Sequence, residues 1–339
     1  MNSASSLAEL CDQRGFREVT VACGVFDGVH RGHQTIVAEL LRLVDRTSAH
    51  PVIMTFEPHP RKILQPNSAP RLLTVREQKL RLLRGCGVAD SVILPFSPEM
   101  ASLQPRDFLA RHLCPAGIDL RGVCVGEEWR FGAGGSGDTA LLQRFGARMG
   151  FEVVSVPPFC VQGHPVSSTR IRNAICKGQL DTAELLLGRS YSVYGQIVRG
   201  KGVGSDLLHC PTANVADRDI LLPPSGVYAA RAYLREERVD ARAGIAYIGT
   251  APTVPRDDQG GVSASRMLEL HVFDFHDSLY GRCIEVEFSA FIRADRKFDS
   301  MDELREQIEK DIREVKHMQA GSNGKPKTEN GKGEAQGER

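Results

Sequence analysis

The chain has 339 residues, of which 43 are Lys or Arg and 42 are Asp or Glu, so its formal net charge is +1. A charge this close to zero argues against a nucleic-acid footprint or a polybasic membrane contact. No apolar run is long enough to cross a membrane, and residues 1–10 lack the apolar centre of an export signal. The length predicts two domains.

The nine cysteines include no Cys-x-x-Cys pair, and their spacing does not fit a zinc site. Cys23, Cys124 and Cys283 lie within apolar segments that are typical of strands, which predicts buried, reduced thiols. Reduced thiols favour a cytoplasmic protein.

The first half of the chain alternates predicted strands with predicted helices. This alternation indicates a parallel sheet that is covered on both faces. Two short helices end this half, and Gly188-Arg189 marks a predicted domain junction. The predicted strands are 19–25, 51–56, 90–96, 121–126 and 152–157, and the predicted helices are 34–46, 76–86, 105–113, 138–149, 168–177 and 180–187.

The segment from Phe26 to His33 joins the first predicted strand to the helix that follows. His30 and His33 therefore lie at a helix N-terminus, where backbone N–H groups and the helix dipole attract phosphate. Imidazole groups there could meet the charge that develops when ATP transfers its adenylyl group. The alternative is a pair of histidines that only caps the helix, but the flanking strand and helix favour chemistry.

A second phosphate-binding candidate is the segment 167–172, Ser-Ser-Thr-Arg-Ile-Arg. Ser168 and Thr169 could donate to phosphate, and Arg170 and Arg172 could hold the β- and γ-phosphates of ATP. Taken alone, the segment fits an ordinary helix cap with two solvated arginines better. The histidine motif in the same half of the chain favours phosphate binding.

From Tyr191 onward, short predicted strands are joined by turns rich in Gly and Pro. Leu268, Leu270 and Val272 alternate with Glu269 and His271, so the two sets face opposite sides of a strand. The pattern predicts an antiparallel barrel or sandwich. The predicted strands are 191–199, 226–234, 242–248, 266–275 and 282–288.

Two further features end the chain. Ser300-Met301-Asp302-Glu303 is a capping box that opens a predicted helix with one apolar stripe. The segment 319–339 is rich in Gly, Lys and Glu, which predicts a disordered tail.

The second half lacks a Walker A sequence, but it contains a glycine-rich segment, 200–204, and then Pro211-Thr212-Ala213-Asn214. Gly200 and Gly202 would let backbone N–H groups approach phosphate, and Thr212 and Asn214 offer oxygen ligands for Mg²⁺. The alternative is a glycine-rich hairpin followed by a turn, and these residues alone fit it better.

Together these motifs resemble the bifunctional bacterial riboflavin kinase/FAD synthetase (FMN adenylyltransferase) family. The resemblance covers residues 17–318, roughly. It implies an α/β, Rossmann-like nucleotidyltransferase domain of the HxGH type at 17–187, and an antiparallel β-barrel riboflavin kinase domain with a C-terminal helix at 188–318. The matching segments are 24–34, 55–60, 125–126, 130–132, 167–172, 211–214, 226–228, 248–249, 252–253, 269–275, 279–281, 291–293 and 297–298.

The resemblance also implies roles for individual residues. The expected substrates are riboflavin, FMN and ATP, with Mg²⁺ required, FMN and FAD as products, and a monomer or weak homo-oligomer as the assembly. His30, His33 and Glu269 would be catalytic, with Glu269 the base for the ribityl hydroxyl of riboflavin. ATP would contact Gly24, Phe26, Ser168, Thr169, Arg170, Arg172, Gly200, Gly202, Thr212 and Asn214; flavin would contact Phe56, Pro58, His59, Glu128, Arg130, Tyr228 and Arg293; Thr212 and Asn214 would bind the metal.

Two departures from the family pattern leave other hypotheses open. His209 stands where the family has a glycine, which suggests an active adenylyltransferase whose barrel binds flavin without phosphorylating it. Glu128 stands where the family has Asp or Asn, and it motivates a third hypothesis, a flavin nucleotide carrier or sensor without catalysis. The retained histidines and Glu269 favour the two-step enzyme, because a carrier needs no base.

Overall fold

The structure of the protein is a computed structural model, which describes residues 2–198, 213–216, 219–234, 238, 241–250, 266–275, 277 and 279–322. The described residues form a parallel six-stranded sheet with flanking helices, then a closed antiparallel barrel and a C-terminal helix. The predicted fold class is confirmed.

The sheet is built around β2, whose residues 19–23 are all buried and therefore pack between two helical layers. Its strand order is β1-β4-β3-β2-β5-β6, and every pairing is parallel. The direction of chain progress reverses beside β2, which makes a crevice at the carboxyl ends of β2 and β5. The strands are β1 Asn2–Ala4, β2 Glu18–Cys23, β3 His50–Glu57, β4 Asp90–Pro95, β5 Asp119–Gly126 and β6 Glu152–Val156.

Helices cover the sheet, and a two-stranded ribbon, β7 Cys160–Val161 and β8 His164–Pro165, follows it. The predicted helix at 105–113 is instead a short α-helix followed by one π-helical turn, Leu109–Leu113. The helices are α1 Leu7–Arg14, α2 Arg31–Thr47, α3 Pro60–Leu64, α4 Arg76–Gly85, α5 Pro98–Ser102, α6 Pro105–Phe108, α7 Thr139–Met149, α8 Ser168–Cys176 and α9 Leu180–Leu187.

The parallel sheet includes β1, which lies N-terminal to the predicted first-domain range of 17–187. β1 pairs in parallel with β4, and the Nδ2 of Asn2 donates to the buried carboxylate of Asp90 at 2.8 Å. Arg14 and His50 contact the same carboxylate. A strand of three residues is too short to give a periodic signal, so only these long-range contacts identify it.

The C-terminal unit is a barrel with the strand order β10-β13-β12-β11-β14-β9, closed by the pairing of β9 with β10. Its interior contains Tyr228, Leu270 and Phe288, all fully or nearly fully buried. β14 continues six residues past the predicted end at Phe288. The strands are β9 Ser192–Val198, β10 Ala213–Ala216, β11 Gly226–Tyr233, β12 Ala241–Thr250, β13 Arg266–Val272 and β14 Cys283–Ala294.

The last helix, α10, spans Met301–Ser322 and begins as the capping box predicts. Ser300 Oγ accepts from the N–H of Glu303 at 3.1 Å, and the Glu303 carboxylate accepts from the N–H of Asp299 at 3.0 Å. The predicted apolar stripe consists of Met301, Leu304, Ile308, Ile312 and Val315. Val315 is buried against the barrel, whereas Met301 is exposed. The first four residues of the predicted tail, 319–322, belong to this helix, and residues 323–339 lie outside the described residues.

A buried polar cluster joins the barrel to the sheet domain. The carboxylate of Glu285 on β14 is 1% exposed, and it pairs with Arg81 of α4. Gln78, also on α4, donates to Glu285 at 3.1 Å and to Ser192 Oγ at 3.0 Å. Alternate residues of β14 therefore face either the apolar interior of the barrel or the buried interface with the sheet domain. A buried carboxylate with several hydrogen bonds fixes how the two domains dock.

The cysteine prediction is confirmed in part. Every cysteine in the described part of the chain is free, and Cys23 and Cys124 are buried. Cys283 is exposed, so the expectation of a buried thiol there is wrong. It is the first residue of β14, where the strand enters the barrel from solvent.

Candidate active sites

The turn after β2 has an unusual backbone. Phe26, Gly28 and Val29 all have positive φ angles, of 54°, 85° and 39°, and the N–H of Val29 donates to the carbonyl of Phe26 at 3.1 Å. Left-handed backbone is costly for a β-branched residue, on the order of 1–3 kcal/mol. Such strain persists only where the surrounding structure supports it, as it does at binding and catalytic turns.

Asp27 stabilises this turn through contacts with neighbouring segments. Its buried carboxylate accepts from the backbone N–H groups of Leu73 at 3.0 Å and Thr74 at 3.1 Å, and it pairs with the guanidinium of Arg172. Its carbonyl accepts from Ser168 Oγ at 2.9 Å. Asp27 therefore connects the histidine motif to α8, so the two predicted phosphate-binding segments lie next to each other.

His30 and His33 lie together at the start of α2. His30 is the N-cap, because its Nδ1 accepts from the backbone N–H of His33 at 3.3 Å. The two rings stack with centroids 3.6 Å apart, and Gly32 makes room, since a Cβ there would come within 3.3 Å of the His30 ring. The predicted pair thus faces the N-terminus of α2 and the carboxyl end of β2.

Both histidines are held neutral. Burial and the charge of Arg189 lower the pKa of His30 to about 4, and burial and His30 hold the pKa of His33 well below its usual range. In a neutral imidazole whose Nδ1 accepts, the proton must be on Nε2. His30 can therefore donate one hydrogen bond from Nε2 toward an anion at the helix N-terminus.

Aromatic side chains line the end of β3 beside this turn. Phe56 is 5.8 Å from Phe96 and 6.4 Å from Phe108, measured between ring centroids, and Trp129 stacks on Phe131 at 4.6 Å. The cluster is continuous, because Phe108 lies 6.4 Å from Trp129. Phe56, Phe108 and Phe131 are buried in the apolar core, so the surface that a flat heterocycle could meet is the half-buried edge of the cluster at Phe96 and Trp129.

The barrel brings its predicted residues into one row. In the antiparallel register Asn214 of β10 is opposite Glu269 of β13, and Glu269 is opposite Tyr247 of β12. Residues paired in this way project from the same face of the sheet. Burial raises the pKa of Glu269, which makes its carboxylate a stronger base.

Asn214 has an unused acceptor. Its side chain is 6% exposed, and its buried Oδ1 has no hydrogen-bond partner among the residues that the structure describes. A buried amide oxygen without a partner is costly, and it fits an oxygen-coordinated cation such as Mg²⁺. Asn214 can therefore contribute to a metal site, although no cluster of three His, Cys, Asp or Glu with metal-site geometry occurs among the described residues.

Comparison with known proteins shows which family the chain belongs to. Residues 12–170 match the FAD synthetase family, and residues 187–319 match the riboflavin kinase family. A protein of Escherichia coli K12 named bifunctional riboflavin kinase/FMN adenylyltransferase is 36% identical over 288 residues, which are 85% of this chain and 88% of the relative. The chain is a member of the bifunctional riboflavin kinase/FMN adenylyltransferase family.

Other relatives extend the similarity. Proteins of the same name from Haemophilus influenzae and Pseudomonas fluorescens are each 33% identical, covering 86% and 90% of this chain and 92% and 94% of their own lengths. A solved structure described as a macrolide-efflux protein from Streptococcus pneumoniae matches 93% of this chain and 98% of its own, with 27% identity and a TM-score of 0.76. No described helix of this family member is long and apolar enough to span a membrane.

Some residues that are predicted to contact ATP already have partners within the protein. Arg170 donates to the carbonyls of Val161 at 3.1 Å and His164 at 2.9 Å, so it holds the β7–β8 ribbon. Phe26 is fully buried, and its ring lies so close to Gly24 that a Cβ on Gly24 would come within 3.1 Å of the ring atoms. Thr169 is exposed in the first turn of α8. Any contact of Phe26 with ATP must therefore come from its backbone.

The predicted flavin contacts of the first domain lie at its rim. Pro58 follows a cis peptide bond, and His59 caps α3 by accepting from the N–H of Arg61 at 3.2 Å. Burial lowers the pKa of His59 to about 4. Glu128 is exposed, and exposed Arg130 lies 3.6 Å from Asp138, so neither fills the crevice.

Two predicted flavin contacts of the barrel point elsewhere. Tyr228 is fully buried, and its hydroxyl donates to the carbonyl of Pro224 at 2.7 Å. Arg293 pairs with Asp311 of α10 at 2.8 Å. Tyr228 therefore packs inside the barrel, whereas Arg293 links β14 to the last helix, and the flavin contacts of both residues stay predictions. Gly200, Gly202, Thr212 and His209 lie outside the described residues.

Lys79 is a functional candidate that the sequence analysis missed. It is 6% exposed, and its Nζ lies 3.3 Å from Thr55 Oγ1, 3.5 Å from the Val25 carbonyl and 3.9 Å from Glu57 Oε2. Burial lowers the pKa of Lys79. The ammonium thus lies where β2 and β3 end. Only the strand order places it there, so no local pattern could reveal it.

The neutral state of His30 predicts acid-sensitive stability. The unfolded chain binds a proton at this histidine near pH 6.5, but the native site binds it only near pH 4. Stability from this group is therefore complete above pH 6.5 and falls as the pH drops toward 4, because the unfolded state binds more protons. The free energy of unfolding in urea should fall between pH 7 and pH 5, and it should fall less in the His30→Ser variant than in the natural sequence. An equal loss in both would contradict the pKa assignment.

Proposed function

We propose that this chain converts riboflavin to FMN in the barrel and FMN to FAD in the sheet domain, using ATP in both steps. The observation that carries the second step is the stacked, neutral His30–His33 pair at the start of α2. The relatives' names and the presence of both domains support the two-step function.

In the adenylyl transfer, an oxygen of the FMN phosphate attacks the α-phosphorus of ATP. The new P–O bond forms as the bond to the β-phosphate oxygen breaks, and pyrophosphate leaves. His30 donates from Nε2 to the α-phosphate oxygens, where negative charge builds up. Thr169 binds the departing phosphates together with Ser168 and Arg172, which exchange their hydrogen bonds with Asp27 for bonds to phosphate. The isoalloxazine ring packs against the half-buried edge of the aromatic cluster, at Phe96 and Trp129.

In the phosphorylation, the terminal ribityl hydroxyl of riboflavin attacks the γ-phosphorus of ATP. Glu269 accepts the hydroxyl proton, and ADP leaves. Asn214, with Thr212, would hold Mg²⁺, which neutralises phosphate charge when it is bound. The directly opposed positions of Asn214 and Glu269 support this assignment, since metal and base must both lie near the reacting oxygen.

Cell location and assembly belong to the same proposal. The free cysteines favour a reducing compartment, and we place the enzyme in the cytoplasm. Both sites are built within one chain, so the reactions need no second copy, and we expect a monomer or weak homo-oligomer.

The test follows riboflavin, FMN and FAD together over time with ATP, in the presence of Mg²⁺ or EDTA. With Mg²⁺, FMN should rise first and FAD should follow, and a reaction started from FMN should release pyrophosphate but no ADP. EDTA should stop both steps. FAD formation from FMN with riboflavin left unchanged would instead support a barrel without kinase activity, and failure of both steps would support a carrier.

A further inference from the structure

Arg189 lies in the linker between the two domains, directly after α9. The helix ends at Gly188, whose φ is 75° and whose N–H donates to the carbonyl of Glu184. From there the guanidinium of Arg189 extends under the histidine turn. Its Nη2 donates to the carbonyl of Gly28 at 2.8 Å, and its Nη1 donates to the carbonyl of Val29 at 3.3 Å.

These two carbonyls belong to the strained part of the turn. Gly28 and Val29 both have left-handed φ angles, and the Val29 carbonyl belongs to the peptide that enters His30. Gln34 adds a second donor, because its Nε2 lies 2.9 Å from the Val29 carbonyl and 2.9 Å from that of Leu187. The end of α9 and the linker thus fix the backbone that aims His30.

We propose that Arg189 is a positioning residue for adenylyl transfer, holding the Gly28-Val29 turn so that His30 faces the α-phosphate. This rests on the proposed function of the sheet domain. Arg189 lies outside the FAD synthetase match at 12–170 and inside the riboflavin kinase match at 187–319. A residue from the region assigned to one reaction therefore completes the site of the other.

Geometry explains why an arginine stands here. The planar guanidinium offers parallel donors to two successive carbonyls, which a lysine ammonium cannot match. The Nε of Arg189 is buried and has no partner among the described residues, so the side chain is held by its two terminal nitrogens. A displaced turn would misalign His30, and small misplacements of catalytic groups are expensive.

The charge of Arg189 gives the proposal a second readout. The groups that face the histidine pair are Arg172 on α8, Arg189 in the linker and Lys79 on α4, and the two rings face each other. Removing the Arg189 charge should raise the pKa of His30 toward its usual value. This shift reports that the Arg189 charge lies beside His30, and the Arg189→Lys variant, which keeps the charge, separates that charge from the geometry of the guanidinium.

The test uses the full chain with Arg189→Met, Arg189→Lys and, as a matched control, Arg144→Met on the exposed face of α7. Arg189→Met should lower kcat for FAD formation on the order of 100-fold while the KM values for ATP and FMN stay unchanged. Arg189→Lys should lose most of the same kcat. Riboflavin phosphorylation should be unaffected in all three variants, which reports that the chain is folded.

NMR titration of the ¹³C-labelled histidine rings separates charge from geometry. The pKa of His30 should rise in Arg189→Met and stay low in Arg189→Lys. Natural kcat in Arg189→Met, or an unmoved His30 titration, would overturn the proposal, and so would joint loss of both activities in both variants. An unaltered chain that makes no FAD would refute the proposed function itself.

Discussion

The His30→Ser variant is expected to lose FAD formation from FMN while it still phosphorylates riboflavin. In the proposed mechanism the imidazole of His30 provides the Nε2 donor at the point where charge develops, and positioned groups of this kind contribute roughly 10²- to 10⁴-fold to rates. Serine is a good N-cap, so α2 keeps its first hydrogen bond when the ring is removed. Steady-state rates of FAD and FMN formation measure the two activities separately.

Serine is chosen so that helix capping cannot explain the result. The His30→Ala variant, which loses both ring and cap, should be equally inactive but less stable by about 1 kcal/mol. Thermal melts of the two variants provide the comparison. If His30→Ser formed FAD at the natural rate while His30→Ala did not, His30 would be a cap and the catalytic assignment would be wrong.

The Glu269→Gln variant is expected to have the reverse defect. Glutamine keeps the shape of the side chain opposite Asn214, but it cannot accept the proton of the ribityl hydroxyl. Riboflavin phosphorylation should fall by roughly 10²- to 10⁴-fold, and FAD formation from supplied FMN should continue at the natural rate. An assay of ADP release with riboflavin as substrate measures the loss.

The pH dependence strengthens this test. Burial raises the pKa of Glu269 above 4.5, so kinase activity should decline toward acid at a higher pH than an exposed glutamate would cause. The matched control is Glu306→Gln, which neutralises an exposed acid on α10. Full kinase activity in Glu269→Gln would show that another group accepts the proton.

Local patterns were enough to predict most elements and several site residues. The apolar run at 19–25 predicts β2, and the spacing in 34–46 predicts α2, so the histidines between them had to lie at a helix N-terminus. The alternation around Glu269 likewise placed it opposite the apolar face of β13. The capping box at Ser300 identified the start of α10. These features are visible because periodicity and capping involve residues a few positions apart.

The expectation for Cys283 was wrong, and other side chains have partners that the sequence did not predict, because distant residues decide the environment of a side chain. Nothing near Cys283 in the sequence shows that it stays exposed, and the buried packing of Tyr228 and the Arg293–Asp311 pair depend on how the barrel closes. The two halves of the 105–113 segment adopt different helical forms that apolar spacing does not distinguish.

The chain by itself therefore determined its family, its two folds, and the histidine and glutamate that we propose as catalytic. Only the tertiary structure decided which charged groups surround the histidine turn: Asp27 within the turn, Lys79 at the ends of β2 and β3, and Arg189 in the linker. The physical reason is that hydrogen bonds and charges act over a few ångströms in space. Arg189 and Gly28 are 161 positions apart, and the packing of the end of α9 against the start of α2 brings them together.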